Sequence, residues 1–186
     1  MGIPTLIKTL TASGDSSLSF VDGSASVVLD STYDEYMFVF TDINPATDSA
    51  ELSFQVNATD DAGGGYDTSQ ITSSFFMVRH DEDDDSSDFG YQTAMDQANG
   101  TAFQVLMDNI GNGSDESAAG ILNLFSPAST TYAKHFYSRF QTYGGGNKSQ
   151  DSFVAGYIND TTAIDEIQFK MSTGNFDGVI QLFGIS

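Results

Sequence analysis

The residues best suited to chemistry in this chain are carboxylates. Asp81, Asp83, Asp85 and Asp88 crowd into one segment, DEDDDSSD at 81–88. Calcium takes about six to eight oxygens from carboxylates, carbonyls and water, so these Asp are calcium candidates. Asp60 with Asp61, or Asp115 with Glu116, would add further oxygens. The spacing lacks the Gly and the closing Glu of an EF-hand loop. Plain solvation of a charged loop is the competing reading and needs no ion. Five carboxylates in succession, Asp81 to Asp85, repel one another, so the segment is expected at the surface and not in a reaction centre. No cofactor beyond this possible calcium is expected.

A second constellation lies in YAKHFYSRFQTY at 132–143, where His135, Tyr137 and Arg139 fall on one strand face. An acid–base role and an interface histidine are the two readings. With 26 acidic side chains, a pair at glycosidase spacing arises by chance, and no pair is singled out. GxGxxG, P-loop, HExxH and GxSxG motifs are all missing. The glycine clusters at 63–65 and 144–146 read as loops, because no strand-to-helix unit surrounds them to cradle a phosphate. Binding is therefore expected, not catalysis. Tyr132, Tyr137, Tyr143 and Tyr157 are the candidate interface aromatics, since Tyr offers an amphipathic ring at low entropic cost. The lack of Trp favours a protein neighbour over a sugar.

The elements that must position these groups are strands. The chain has 186 residues, 39% of them hydrophobic, which suits one domain, 1–186, with a real core. Fifteen Phe and eight Tyr predict an aromatic core. Asp outnumbers Glu by 21 to 5, and Asp favours turns over helices. The net charge of −20 repels nucleic acid and anionic membranes, so neither is expected as a partner. Without Cys no disulfide staples the fold, and two His do not complete a structural zinc site. The N-terminal stretch lacks the apolar core of a secretory signal, because Lys8 interrupts it. Five Asn-x-Ser/Thr triplets, at Asn57, Asn99, Asn112, Asn147 and Asn159, are then incidental. No apolar run is long enough to span a bilayer.

Alternation places the strands. Thr5 to Thr11 and Ser17 to Val21 open the chain, and Tyr36 to Thr41 reads as a central strand ended at Asn44-Pro45. Ala50, Leu52, Phe54 and Val56 alternate with Glu51, Ser53, Gln55 and Asn57, which predicts a half-exposed strand. The stretch from Ile71 to Val78 fits helix or strand, with its Ser and Thr favouring strand. Short elements follow at 89–94, 103–107 and 119–125. In 132–143, Phe136 and Phe140 share one face, and His135, Tyr137, Arg139 and Tyr143 the other. Strands at 153–158, 164–171 and 179–185 complete the set, with Asn175 to Gly178 as the last turn. Ten to twelve short strands separated by Gly, Asn, Asp and Pro suggest a sandwich or a barrel; with no long helical pattern, the expected fold is all-β, a jelly-roll-like antiparallel β-sandwich.

Two regions carry a resemblance. Asp30 to Asn57 has a Tyr-centred strand (Tyr33, Tyr36), a turn (Asn44, Pro45, Thr47, Asp48) and an alternating strand (Leu52, Phe54, Val56), followed by Gly64, Gly65 and Tyr66. The closing half contributes Ile164, Ile167, Phe169, Ser172, Gly174 to Phe176, Gly178 to Ile180, Leu182, Gly184 and Ile185. Together they resemble structural proteins of tailed bacteriophages, especially marine ones that infect cyanobacteria. Phe183 stands where that family more often has Tyr, and the acidic segment 81–88 lies outside the pattern. The resemblance implies a virion protein made in the host cytoplasm: a capsid decoration, tail or fibre component seated on other capsid or tail proteins. The aromatic, Cys-free strand set itself predicts a homo-oligomer; the resemblance implies a trimer if the protein is a fibre or decoration, and it brings no catalytic residues. A glycan- or host-receptor-binding module would instead show an exposed aromatic groove rimmed by Asp or Asn. A hydrolase would show a cleft holding a carboxylate with a raised pKa.

Overall fold

The computed structural model describes residues 2–59, 65–66 and 69–186. Its regular elements are all strands: β1 (Thr5–Asp15), β2 (Ser17–Val21), β3 (Glu35–Pro45), β4 (Ala50–Ala58), β5 (Ile71–Asp81), β6 (Ser87–Tyr91), β7 (Gln104–Ile110), β8 (Ala118–Phe125), β9 (Lys134–Gly144), β10 (Lys148–Ile158), β11 (Ile164–Met171) and β12 (Phe176–Ile185). Every described pairing is antiparallel. The order β1-β12-β3-β8-β9-β10-β5-β6 makes one long ladder, and β7-β4-β11-β2 makes a shorter one. They meet where Ile110 of β7 pairs with Gly144 of β9. The nine-strand path β1-β12-β3-β8-β9-β7-β4-β11-β2 nearly closes into a barrel, its end strands β1 and β2 being consecutive in the chain.

Between the two ladders lies one aromatic core. Phe169 of β11 meets Phe38 and Phe40 of β3 with ring centroids 5.3 and 5.0 Å apart, both edge-on. Phe40 meets Phe140 of β9 at 4.9 Å, and Phe54 of β4 meets Phe136 of β9 at 5.1 Å. Edge-to-face pairs add roughly 0.5–1.5 kcal/mol each beyond the area they bury, so these rings clamp the short ladder to the long one. Tyr36 is buried beside them and donates its hydroxyl to the Asp30 carbonyl at 2.8 Å. Burial, reinforced by the nearby Asp30 charge, pushes its pKa up to about 12, so it stays a donor at any ordinary pH.

Three local expectations need correction. First, β4 is buried on both faces: Ser53, Gln55 and Asn57 are as hidden as Leu52, Phe54 and Val56. Its polar face is covered by the segment leading into β7, whose Thr101 and Ala102 carbonyls accept from Gln55. Second, the last turn lies earlier than 175–178. β12 already begins at Phe176, and Gly178 is a bulge where the register against β3 slips. Its φ of +139° and a Cβ position only 2.9 Å from the Asp42 carbonyl oxygen leave room for Gly alone. Third, the acidic segment is not wholly loop. Asp81 ends β5, Ser87 and Asp88 begin β6, and the residues between them form the turn of a hairpin.

Candidate functional site

The outer face of β8, β9, β10, β5 and β6 gathers most of the exposed large apolar side chains of the molecule. Strict alternation in β9 sends Phe136 and Phe140 into the core and His135, Tyr137, Arg139 and Tyr143 outward. The antiparallel register then lines up cross-strand rows. The central row is Ile121, Arg139, Phe153, Phe76 and Tyr91, one residue from each strand. To one side run Asn123, Tyr137, Ala155 and Ser74; to the other, Ala119, Gln141, Asp151, Val78 and Phe89. The rings interlock across strands, which is how a sheet face gains side-chain stability. Phe76 packs edge-on against Tyr91 at 5.1 Å and stacks on Phe89 at 6.2 Å.

Arg139 ties the centre together. Its guanidinium donates to both carboxylate oxygens of Asp151, at 3.2 and 2.6 Å, and lies 4.9 Å from the centroid of the Phe153 ring. The Asp151 partner raises the Arg139 pKa, so the cation is permanent. Small side chains at Ala155 and Ser74 leave an open depression of about 460 Å³ between Tyr137, Phe153 and Phe76. Phe89, at 70% exposure, and Tyr91 carry the apolar surface to the free edge of β6.

The four candidate tyrosines separate. Tyr137 forms a wall of the depression. Tyr157 lies at one end of the face beside His135, ring centroids 6.4 Å apart. Tyr143 lies at the other end, donating to Glu82 at 3.2 Å in a smaller hollow of about 230 Å³ shared with His80. Tyr132 is not on the face; it sits in the turn before β9, its amide donating to Ser129 Oγ at 3.0 Å. Sequence reasoning missed Phe76, Phe89, Tyr91, Phe153 and Ile121. A Phe in a strand reads as core, and only the apolar pairing Phe75-Phe76, one for each face of β5, signalled a second apolar face.

The calcium candidates do not converge. Asp81 accepts the Asp83 amide at 3.0 Å, and Asp84 faces His80 at 3.2 Å. Asp88 lies 3.9 Å from Arg79. Among the described residues, no group of three or more His, Cys, Asp or Glu side chains is arranged to hold a metal ion. The helper carboxylates Asp60 and Asp61 lie outside the described residues. Three carboxyls, Glu51, Asp108 and Glu166, have pKa values raised mainly by burial. None of them lines the depression or the hollow on the aromatic face. Among the described residues, no helix is long and apolar enough to cross a membrane.

Comparisons with protein-family models, with curated proteins and with solved structures gave no match.

Proposed function

We propose that this protein is a structural subunit of a tailed-bacteriophage particle, a capsid decoration or a tail or fibre component, built as a jelly roll and acting by binding, not catalysis. The observation that carries the reading is the nesting of strand pairs. Setting aside the hairpins β5–β6 and β9–β10 leaves β1, β2, β3, β4, β7, β8, β11 and β12. Among these, β1 pairs β12, β2 pairs β11, β3 pairs β8 and β4 pairs β7. First pairs with last, second with second-last, and so inward, which supports the winding of a doubled ribbon into the two sheets of a jelly roll, a fold of viral capsid and lectin domains. The two remaining hairpins extend one sheet and form most of the aromatic face. On this reading they are the part that meets a neighbour in the particle, while the nested frame supplies rigidity.

The test is direct. Particles of the phage that encodes the chain are purified and their proteins quantified by mass spectrometry. The chain is expected at a fixed ratio to the major capsid or tail protein, and particles from a deletion mutant should lack matching density by electron microscopy. Particles that never contain the chain would remove the reading.

One observation favours a second reading, a glycan- or receptor-binding module: the depression between Tyr137, Phe153 and Phe76 with Asn123 and Asp151 at its margin. Sugar recognition needs free hydrogen-bond groups around an aromatic platform. Here the strongest donor, Arg139, is already engaged by Asp151. A Phe-rich face whose charges are mutually satisfied suits protein side chains better.

A further inference from the structure

We propose that the outer face of β8, β9, β10, β5 and β6 is a self-association surface, on which a second copy of this chain docks face to face about a two-fold axis. The proposal goes beyond the virion reading and does not depend on it, because a dimer forms or fails to form in purified protein whatever particle the chain belongs to.

Charge distribution is the first argument. The chain carries 26 acidic residues, yet the three rows across this face hold a single carboxylate, Asp151. Its charge is cancelled by Arg139 at 2.6 Å. On a molecule of net charge −20, charge is withheld from these rows and kept to their margin, where Asp96 accepts from the Tyr91 hydroxyl and Glu82 from the Tyr143 hydroxyl. Depletion of charge with enrichment in Tyr, Phe and Arg is the composition of interface cores. It also answers the main objection to self-association, the mutual repulsion of two acidic chains. Face-to-face docking brings the neutral surfaces together and leaves the carboxylates of the β5–β6 turn, Glu82 to Asp85, beyond the end of the contact.

Area is the second. Phe76, Phe89, Tyr91, Tyr137, Phe153 and Tyr157 are 37–70% exposed. With about 200 Å² for a whole aromatic side chain, these rings alone present roughly 550 Å², and Ile121 and Val78 add to it. That lies toward the upper end of the roughly 300–600 Å² of the largest apolar patch on an ordinary monomer, a patch that is often functional. Together with its polar margin it approaches the roughly 800 Å² per partner of a stable interface. A two-fold contact uses the same patch on both copies, which an apolar, internally neutral surface satisfies by construction. A three-fold ring would need a different surface to receive this one.

Sedimentation velocity and light scattering on the purified full chain test the proposal, at micromolar concentration and physiological salt. The expected species has twice the chain mass of 19.9 kDa. The dimer should tighten as monovalent salt rises, because screening relieves the repulsion between acidic chains. Tyr137→Glu with Phe153→Glu places unpaired charge at the centre of the contact on both copies, and should weaken dimerisation at least about 100-fold. Phe89→Ser, a change at a 70%-exposed side chain at the rim of the face, should weaken it by a smaller factor and shift the monomer's melt only slightly, through the lost stacking on Phe76. Leu6→Ser, comparably exposed but on β1 at the opposite end of the ladder, should leave the dimer intact. A monomer throughout the micromolar range, a trimer, or a dimer indifferent to the Phe89 and double variants would each overturn the proposal. So would a monomer whose Tyr137 and Phe153 resonances shift on titration with an oligosaccharide, which would give the face to a sugar.

Discussion

The two ladders differ in what lies on their outer faces, and the difference is the reverse of what hydrophobicity alone would arrange. The outer face of β2, β11, β4 and β7 is polar, carrying Ser19, Gln168, Gln55, Glu166 and Ser53, yet the chain covers much of it with its own segments. The outer face of β8, β9, β10, β5 and β6 is aromatic, and its large side chains stay exposed among the described residues. The polar face is roofed by Tyr66 and by the segment before β7, held through side-chain hydrogen bonds. Gln55 Nε2 donates to the carbonyls of Ser69, Thr101 and Ala102, at 3.0–3.1 Å. Gln104 donates to the Met95 carbonyl at 2.9 Å and accepts from Ser73 Oγ at 2.6 Å. Tyr66 bonds to Glu166, and Lys170 lies 3.8 Å over the Phe103 ring. A polar face can be closed within one chain by directional bonds. An apolar face left open in a folded monomer is the surface on which the proposed second copy would dock.

The largest expected effect breaks the roof. Gln55→Ala takes the shared donor from the buried Ser69 carbonyl and from the Thr101 carbonyl, the Ala102 carbonyl keeping Gln97 Nε2, and opens a void at a fully buried position, which should cost about 3 kcal/mol of unfolding free energy in a denaturant titration. Phe89→Ser on the open face is the matched control. Measured at a concentration where the protein is monomeric, it should stay within about 0.5 kcal/mol of the parent, as surface changes do. A Gln55→Ala cost under about 1 kcal/mol would mean that the polar bonds do not hold the covering segment.

The same contrast explains what was legible in the sequence. Alternation in β9 set the outward row His135, Tyr137, Arg139 and Tyr143, because one face of that strand is core and the pattern is unambiguous. Alternation in β4 misled. Period 2 reports the chemistry of a strand's two faces, not whether a distant segment later covers the polar one. The roof, near residues 97–104, has no periodicity of its own and lies more than forty positions from Gln55. The open face was half legible. Its Tyr residues invited a binding role, but Phe76, Phe89 and Phe153 looked like core. Only the register of β5, β6 and β10 turned them outward together.

A smaller effect probes the roof's electrostatic edge. Lys170→Ala removes the cation above Phe103 and the aliphatic stem beside it, and should cost about 1 kcal/mol. Lys170→Arg keeps both the charge and the stacking, and should restore most of the loss. If Lys170→Met, which keeps the stem alone, is as stable as the parent, packing and not charge holds Phe103.

Acid should favour the covered face. Burial raises the carboxyls of Glu51 and Glu166 above the ordinary value of 4.5, with the Asp108 charge adding to the effect at Glu51. A carboxyl whose folded pKa is raised binds more protons folded than unfolded across the interval between the two values. Unfolding free energy therefore falls as pH rises through that interval. The protein should gain stability on going from neutral pH toward the ordinary carboxylate range. Glu51→Gln with Glu166→Gln should flatten that slope. A parent whose stability rises steadily from pH 4 to pH 7 would contradict the assignment, and an unchanged slope in the double variant would move its cause to Asp108 or to the general acidity of the chain.

The smallest effect is expected at the acidic turn, which ends the open face and raises the question of whether an ion helps to cover it. Asp81 is occupied by the Asp83 amide, Asp84 faces His80, and Asp88 sits near Arg79. These carboxylates point to separate partners, and solvent reaches the whole turn from Glu82 to Asp85. Calcium should then act only as a screening ion. At matched ionic strength, thermal melts with calcium and with chelator should differ by less than about 3 °C, which for a chain of this length is on the order of 1 kcal/mol or less. Asp83→Asn with Asp85→Asn removes two like charges from the turn, and should leave the melt unchanged or raise it slightly. A larger, calcium-specific rise abolished by that double variant would show the turn gathering around an ion. The open face would then have a metal-bound border at its Tyr143 end, and the contrast between a closed polar face and a bare apolar one would hold only for the remaining rows.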